Sequence, residues 1–482
     1  MKKFYVTTTL PYVNADPHIG FALEIVQADV LARYHKSLGD EVVFNTGTDE
    51  HGIKVYRKAK EEGQDIKSYV DKHAANFEKL KTALNLSYTN FTRTTDPYHV
   101  KAAQEFWKRC EKNDDIYKKD YEIKYCVGCE LEKTESELED SRCPIHPNLE
   151  IEKIKEENYF FKWEKYQTPL LDYYEKHPDF VVPDFRFNEI KQFVKSGLKD
   201  FSISRLKEKM PWGIPVPGDE KHVLYVWFDA LTNYVSTLGW PENGEKLSDF
   251  WGTKENPNAI QVAGKDNLRQ QSAMWQAMLM SAGLPNSKQI FIHGFVTSKG
   301  QKISKSLGNT VNPIELAEKY GTDALRYYLL KEISPFEDGD FSEDKLKVVY
   351  NADLANGLGN LVARVAKLCE TSNFNLSEIE LTKNGVDPVI KEFLNKYQFD
   401  EAIKVIWKHI DASNAVIDDF KPWRLEGEEL KNSLRKILSH ISFVDYLVPN
   451  LEIFLPKTAE KIKEQFKGPK IKSQPPLFPR IK

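Results

Sequence analysis

Phe4-Tyr5-Val6-Thr7-Thr8-Thr9-Leu10-Pro11-Tyr12-Val13-Asn14-Ala15-Asp16-Pro17-His18-Ile19-Gly20-Phe21 is the stretch that decides the fold. Phe4 to Thr9 is β-branched and aromatic, which predicts a strand. Asn14, Asp16 and Pro17 supply turn chemistry. From Phe21 to Lys36, Leu23, Val26, Val30 and Tyr34 recur at helical spacing, and Gly39 marks the stop. A strand leading into a helix N-terminus offers backbone N–H groups and a positive dipole end, where phosphate binds well. His18 and Gly20 stand at that start, one a side-chain donor, the other open to close approach. Taken alone, a His beside a turn reads first as structural.

A second βα unit follows. Glu41 to Thr46 reads as a strand, Gly47-Thr48-Asp49-Glu50-His51-Gly52 as the turn at its carboxyl end, and a helix runs towards Gly63. Repeated βα units predict a parallel sheet that binds ligands beyond its strand ends. Helices are expected over 66–84 and 98–113. No G-x-G-x-x-G is present, so a dinucleotide site has no support. From Ile116 to about Pro217, Tyr-rich and Cys-bearing segments alternate with acidic loops, as in an insertion. Val223-Leu224-Tyr225-Val226-Trp227-Phe228 is expected to resume the sheet. Two more βα-like units follow: Ala259 to Ala263 before Gly264-Lys265-Asp266, and Gln289 to Val296 before a Gly- and Ser-rich loop. Beyond Leu346 the pattern is helical, and the Pro-rich end cannot be a helix. It is expected to lie back across a groove.

The 482 residues carry 68 Lys and Arg against 72 Asp and Glu, so no global basic field announces nucleic acid. Five Cys argue against a disulfide scaffold. No apolar run approaches the roughly 18 residues that span a bilayer, and no signal-peptide pattern opens the chain. These observations predict a cytoplasmic, multi-domain α/β protein without a membrane partner.

Two patterns carry chemistry by spacing. Lys302-Ile303-Ser304-Lys305-Ser306 places two Lys three apart among small residues, either a solvated basic turn or a cationic lid for a polyphosphate. Cys126-x-x-Cys129 with Cys143-x-x-His146 has the knuckle spacing of a closed, structural Zn²⁺ site. Cys110 and Cys369 are left over and read as buried hydrophobes.

His18-Ile19-Gly20 and the Lys302–Ser306 loop, about 280 residues apart, resemble the HIGH and KMSKS signatures of class I aminoacyl-tRNA synthetases. Thr9-Leu10-Pro11-Tyr12, Gly47 to Gly52, Tyr225 to Ala230, Gly264-Lys265-Asp266, Gly300 to Asn309 and Pro313 to Asp340 further resemble methionyl-tRNA synthetases. The last includes Lys319-Tyr320-Gly321-Thr322-Asp323-Ala324 and Arg326. The Cys-rich segment resembles the bacterial family's connective domain. The resemblance implies a Rossmann-like catalytic domain in two parts, residues 1–115 and 223–298, separated by a zinc-bearing insertion over 116–222. A lid and stem-contact segment (299–345), an α-helical anticodon-binding bundle (346–468) and an extended tail (469–482) would follow.

It implies that methionine, activated with ATP and Mg²⁺, is passed to tRNA(Met), initiator tRNA included, and it implies no DNA partner. His18, Gly20, Lys302 and Lys305 would meet the phosphates, Asp266 the ribose, and His293 and Gly294 the adenosine. Arg205 would stand near the reacting carboxylate or α-phosphate. Asp49 would pair with the substrate ammonium. Leu10, Tyr12, Trp227, Ala230, Tyr234 and Gln271 would enclose the thioether. Asn360, Arg364 and Trp423 resemble anticodon-reading positions, although residue type alone puts Trp423 in a core. One structural zinc and a monomer are expected. Phe21 departs from the second His of the first signature, so either it packs and another group replaces the donor, or the site is tuned differently. Asn267 and Gln271 stand where many members carry Ile and His. Two rival readings remain: a cysteinyl-tRNA synthetase, and a non-catalytic zinc-bearing RNA-binding homologue.

Overall fold

The structure, a computed structural model, describes all residues but 130, 134, 299, 304–309, 379–384 and 482. Its centre is a six-stranded parallel sheet in the order Asn90–Arg93, Glu41–Thr48, Lys3–Thr8, Ala259–Gly264, Gln289–His293, Val181–Val182. Side chains alternate across it. Phe4, Val6, Phe44, Val262 and Phe291 pack on one face and Tyr5, Val43, Ala263, Ile290 and Ile292 on the other, in separate hydrophobic cores. With both faces covered, the central strands are buried along most of their length. The strand order reverses between Lys3–Thr8 and Ala259–Gly264, where Thr8 lies beside Val262. A ligand crevice belongs outside such a switch point.

The opening stretch folds as expected: a strand over Lys3–Thr8, then a helix over Ile19–Ser37 whose positions 21–32 are all buried. The helices over Ile66–Glu78 and Pro97–Lys112 match their patterns closely.

Val223 to Phe228 does not resume the main sheet. Asp219–Leu224 instead pairs antiparallel with Ser204–Leu206, and Val226–Ala230 is a helical turn. The place beside the first strand is already taken by Ala259–Gly264. The Asp229 carboxylate draws the turn inward, bonding His51 Nδ1 at 2.7 Å and His99 Nε2 at 2.8 Å. A short apolar run has the same signature in either state.

The 116–222 segment also departs from a simple insertion. Ile116–Cys126, Leu131–Lys133, Glu152–Phe161 and Phe201–Ser202 do form a separate antiparallel sheet. Between its strands, however, the chain returns to the main sheet, where Val181–Val182 pairs with Ile290 and Phe291.

Glu343–Val349 continues without a break through a π-helical stretch, Tyr350–Gly359, into Asn360–Thr371. A helical end follows. Its longest member, Phe399–Phe420, buries Ala402, Ile403, Ile406, Ile410 and Ile417 on one stripe. It ends at Lys421 in the left-handed conformation, φ +46°, just before Pro422. The Pro-rich tail lies along the π-helical stretch. Phe478 meets Tyr350 edge-on at 5.8 Å, and Asn351 bonds both the N–H and the carbonyl of Ile481 at 2.9 Å.

Where the first helix crosses Thr322–Lys331, Asp29 is buried between Arg33 and Arg326, each 2.7 Å away. Burial alone would raise this carboxyl's pKa, but the two guanidiniums outweigh it and hold it low. No helix among the described residues is long and apolar enough to cross a membrane.

Candidate active site

At the carboxyl ends of the central strands lies a cleft of about 740 Å³. Its walls carry Leu10, Tyr12, His18, Gly20, Phe21, Asp49, Trp227, Ala230, Tyr234, Asp266, Gln271, His293, Gly294 and Ile303. Residues spread over some 290 positions therefore share one space.

At one end His18 caps the first helix. Its Nδ1 accepts from the Gly20 N–H at 3.1 Å, so the ring proton sits on Nε2. The Ile19 N–H donates to the Val311 carbonyl, and those of Phe21 and Ala22 to the His18 carbonyl. These first-turn amides are thus occupied. An anion here would meet the imidazole and the helix dipole rather than free amides, a change from the expectation that backbone N–H groups cradle it. A Cβ on Gly20 would lie 2.9 Å from the imidazole, so any larger residue there would push the capping ring aside. Phe21 packs edge-on against Phe77 at 5.7 Å. It forms wall and offers no donor.

Glu24, one turn further along, was not foreseen. Its Oε1 accepts from the N–H and hydroxyl of Thr9 at 2.8 and 2.6 Å, and its Oε2 from the Gly264 N–H at 3.2 Å and His293 Nε2 at 3.0 Å. One carboxylate thereby ties three strand ends together. The only sequence signal was an acid four residues after Gly20, in an otherwise apolar run. His293 Nδ1 faces the Gly294 carbonyl at 2.7 Å. Burial lowers the His293 pKa, but Glu24 and that carbonyl outweigh it, and the net shift is upward. Asp266 is exposed at the rim, where its Oδ1 accepts from Asn267 at 3.2 Å.

At the other end Asp49 is buried, its N–H bonded to the Pro11 carbonyl at 2.9 Å. The Lys54 ammonium lies 5.0 Å from the Tyr12 ring centre. Tyr234 is buried, which pushes its phenol well above the ordinary range and keeps it neutral. Its oxygen accepts from Gln271 Nε2 at 2.8 Å, and Gln271 Oε1 accepts from Gln261 Nε2 at 2.8 Å. Beneath this end, Asp229 clamps the turn bearing Trp227 and Ala230 to His51. Burial raises its pKa, and His51 and His99 bring it below the ordinary value.

Arg205 is not brought to this cleft. It lines a neighbouring cavity of about 240 Å³ with Arg57, Tyr125, Glu156 and Tyr225. Its Nη1 donates to the Ser202 hydroxyl at 2.8 Å and the Ser204 carbonyl at 2.7 Å, and its guanidinium lies 4.2 Å from the Tyr225 ring centre. The strand pairing of Val223 with Arg205 turns it to that side. Lys302 belongs to a two-residue strand, Gln301–Lys302, paired with Val296–Ser298, and the next residue, Ile303, is buried in the cleft wall. Lys305 lies outside the described residues.

Cys126, Cys129, Cys143 and His146 bring four ligand atoms within 4.8 Å of one another. Cys129 Sγ is 3.5 Å from Cys143 Sγ and 3.3 Å from His146 Nδ1, and Cys126 Sγ is 3.8 Å from His146 Nδ1. A tetrahedral metal with sulfur at about 2.3 Å needs ligand separations near 3.8 Å. The donor set fits zinc. A Cβ on Gly128 would lie 2.4 Å from the His146 ring, so only glycine lets the knuckle close. Gly128, Cys129, Pro144 and His146 also form part of the cleft wall, and Lys54 Nζ donates to the Gly128 carbonyl at 2.5 Å. Cys110 and Cys369 are buried, and burial pushes each thiol up to about 12.

Outside the cleft lining, Asn360 is exposed and Arg364 donates to Asp418 at 2.6 Å, with its guanidinium 5.5 Å from the Trp423 ring centre. Trp423 is 54% exposed, at the surface and not in a core.

The family model described as tRNA synthetases class I (M) matches residues 4–146 and 128–366. A methionine–tRNA ligase of Nostoc sp. is 45% identical over 473 residues, covering 93% of this chain and 88% of its own. The Mycobacterium tuberculosis methionyl-tRNA synthetase in complex with methionyl-adenylate superposes with a TM-score of 0.90 at 32% identity, with full coverage of both chains. The free-state form of that enzyme superposes at 0.81 with 30% identity, covering 100% of this chain and 99% of its own. With a cleft that joins the two signature regions on a Rossmann-like sheet, the chain belongs to the methionyl-tRNA synthetases of class I, and is a methionine–tRNA ligase.

Proposed function

We propose that the two ends of the cleft divide the first half-reaction between them. The observation that carries this reading is the meeting of Asp49 and Tyr234 with His18, Asp266 and His293 in one cavity. At the phosphate end, His18 donates through Nε2 to ATP, Gly20 keeps the approach open and Phe21 supplies a wall. Asp266 takes the ribose hydroxyls, and His293 and Gly294 flank the adenosine. Lys302 and Lys305 close over the β- and γ-phosphates, with Mg²⁺ sharing the charge. At the other end, Asp49 pairs with the methionine ammonium. Leu10, Tyr12, Trp227, Ala230, Tyr234 and Gln271 enclose the side chain.

The methionine carboxylate attacks the α-phosphate, pyrophosphate leaves, and the methionyl group then passes to the terminal ribose of tRNA(Met), initiator tRNA included. The protein's part is positioning and charge neutralisation. Arg205 acts through Tyr225, which precedes the turn bearing Trp227, and not by direct contact. One structural Zn²⁺ held by Cys126, Cys129, Cys143 and His146 would fix the knuckle that walls the cleft, and takes no part in the chemistry. Asn360, Arg364 and Trp423 read the anticodon, the indole stacking on an unpaired base.

By function, residues 1–115 and 223–298 are catalytic and 116–222 the zinc-bearing connective segment. Residues 299–345 form the lid and stem contact, 346–468 the anticodon-binding bundle and 469–482 the tail. The enzyme works in the cytoplasm as a monomer. ATP–pyrophosphate exchange with a panel of amino acids tests the assignment. Methionine should support exchange far above the others. Exchange supported by cysteine, or by none, would overturn it.

A further inference from the structure

Behind the methionine end runs a chain of buried amides and hydroxyls whose direction is set by the backbone. The Ser287 N–H donates to Gln276 Oε1 at 3.1 Å, and Gln276 Nε2 donates to the Gln271 carbonyl at 2.9 Å. A backbone N–H can only donate and a carbonyl can only accept, so the Gln276 amide has one orientation. Its Nε2 also donates to Ser287 Oγ at 3.0 Å. Among the described residues the acceptor for that hydroxyl's own proton is Gln261 Oε1. Gln261 must then present Nε2 to Gln271 Oε1, and Gln271 must present Nε2 to the Tyr234 oxygen, both at 2.8 Å.

Every link therefore points the same way, and the chain ends with Tyr234 as an acceptor. Among the described residues no group accepts the Tyr234 proton, and Tyr234 is part of the cleft wall. All five side chains are buried. Leaving a buried O–H without an acceptor is costly, so the ligand is the group that completes it.

We propose that Gln276, Ser287 and Gln261 are positioning residues that act through Gln271 to turn the Tyr234 proton into the cleft, towards the weak acceptor of a thioether sulfur. None of the relay groups titrates in the working range, so the donor keeps its direction at every pH where the enzyme is folded. An imidazole in place of Gln271 would carry no such guarantee, because its two nitrogens exchange roles on protonation.

The proposal rests on the reading that Tyr234 faces the methionine side chain, and the experiment separates the two. Norleucine replaces the sulfur by a methylene and cannot accept the proton. The readout is the ratio of kcat/KM for methionine over norleucine in ATP–pyrophosphate exchange, measured on the full-length enzyme. Tyr234→Phe should lower the ratio about ten-fold, the worth of one buried hydrogen bond. An unchanged ratio there would overturn the pocket reading and the relay together.

In Gln261→Glu an ionised carboxylate has no proton to give. Gln271 then turns its nitrogen to Glu, offers Oε1 to Tyr234, and draws the phenol proton away from the cleft. The ratio should fall about five- to ten-fold, with norleucine activity nearly unchanged, and should recover at low pH as the carboxyl is protonated. Ser287→Ala releases the orientation of Gln261 and should lower the ratio about two- to three-fold. If Tyr234→Phe collapses the ratio and neither relay variant moves it, the relay is wrong. Equal losses for both amino acids in the relay variants would likewise overturn it, because that is what a purely structural role predicts.

Discussion

In the cleft, Glu24, Asp49, Gln271 and His293 are each 5% exposed or less, whereas on the C-terminal helices Trp423 is 54% exposed. Glu24, Gln271 and His293 are held by backbone or side-chain partners on several elements. Among the described residues Arg364 meets the exposed carboxylate of Asp418 and the Trp423 ring. The two regions meet different ligands on different terms. A small substrate entering the cleft finds its hydrogen-bonding groups already aimed, and pays little to order them. On the reading proposed above, a nucleic-acid loop would bring its own order to a surface that offers an exposed indole and a guanidinium. Damage in the cleft should therefore reach both half-reactions, and damage at the helical face only the second.

Four measurements would break or sharpen this contrast, beginning with the largest effect. Lys305→Ala should slow ATP–pyrophosphate exchange by about 10²-fold or more, through loss of a transition-state charge contact, with methionine affinity unchanged. Exchange within a few-fold of wild type would remove the lid from the cleft's machinery. Cys126→Ser should lower zinc affinity by at least about 10²-fold and destabilise the knuckle, as loss of one ligand does in closed sites. Metal content and thermal unfolding report it, and wild-type zinc retention would show that the four residues bind no metal. Trp423→Ala should weaken tRNA charging about ten-fold, in line with one lost base stack, and leave pyrophosphate exchange intact. Equal loss in both assays would erase the distinction between the regions.

The smallest effect concerns pH. The His293 pKa is raised in the folded protein, so the stability from its pair with Glu24 is complete below the ordinary imidazole pKa and lost as pH rises through the folded value. The melting temperature should decline over that window, and Glu24→Gln should remove the decline. A wild-type profile as flat as the variant's would mean that the pair is neutral.

The parallel sheet was legible because buried strands followed by helical stripes have few other interpretations. Tyr225 to Phe228 was not, because its helical turn is set by Asp229 reaching His51 and His99, which are distant in sequence. The cleft residues that follow a strand end were readable from turn chemistry and resemblance. Glu24 was hidden because it acts from mid-helix, where an acid normally reads as a solvated face. Arg205 illustrates the opposite case. Its motif resembles the family's, but the register of a three-residue strand decides which cavity it enters. The direction of the Gln276–Tyr234 chain lies beyond any sequence pattern, since it depends on which backbone atoms meet the first amide.

The hydrophobic core that begins at Phe4 and Val6 continues without interruption through the first helix and the C-terminal helices to Phe478. Functional labels divide this chain, but its oil does not. A break at the expected 345/346 boundary would fall inside a continuous helix and expose both sides of one core. The two sides of that boundary should therefore melt in a single transition, and fragments made there should aggregate apart and recover solubility only when co-expressed.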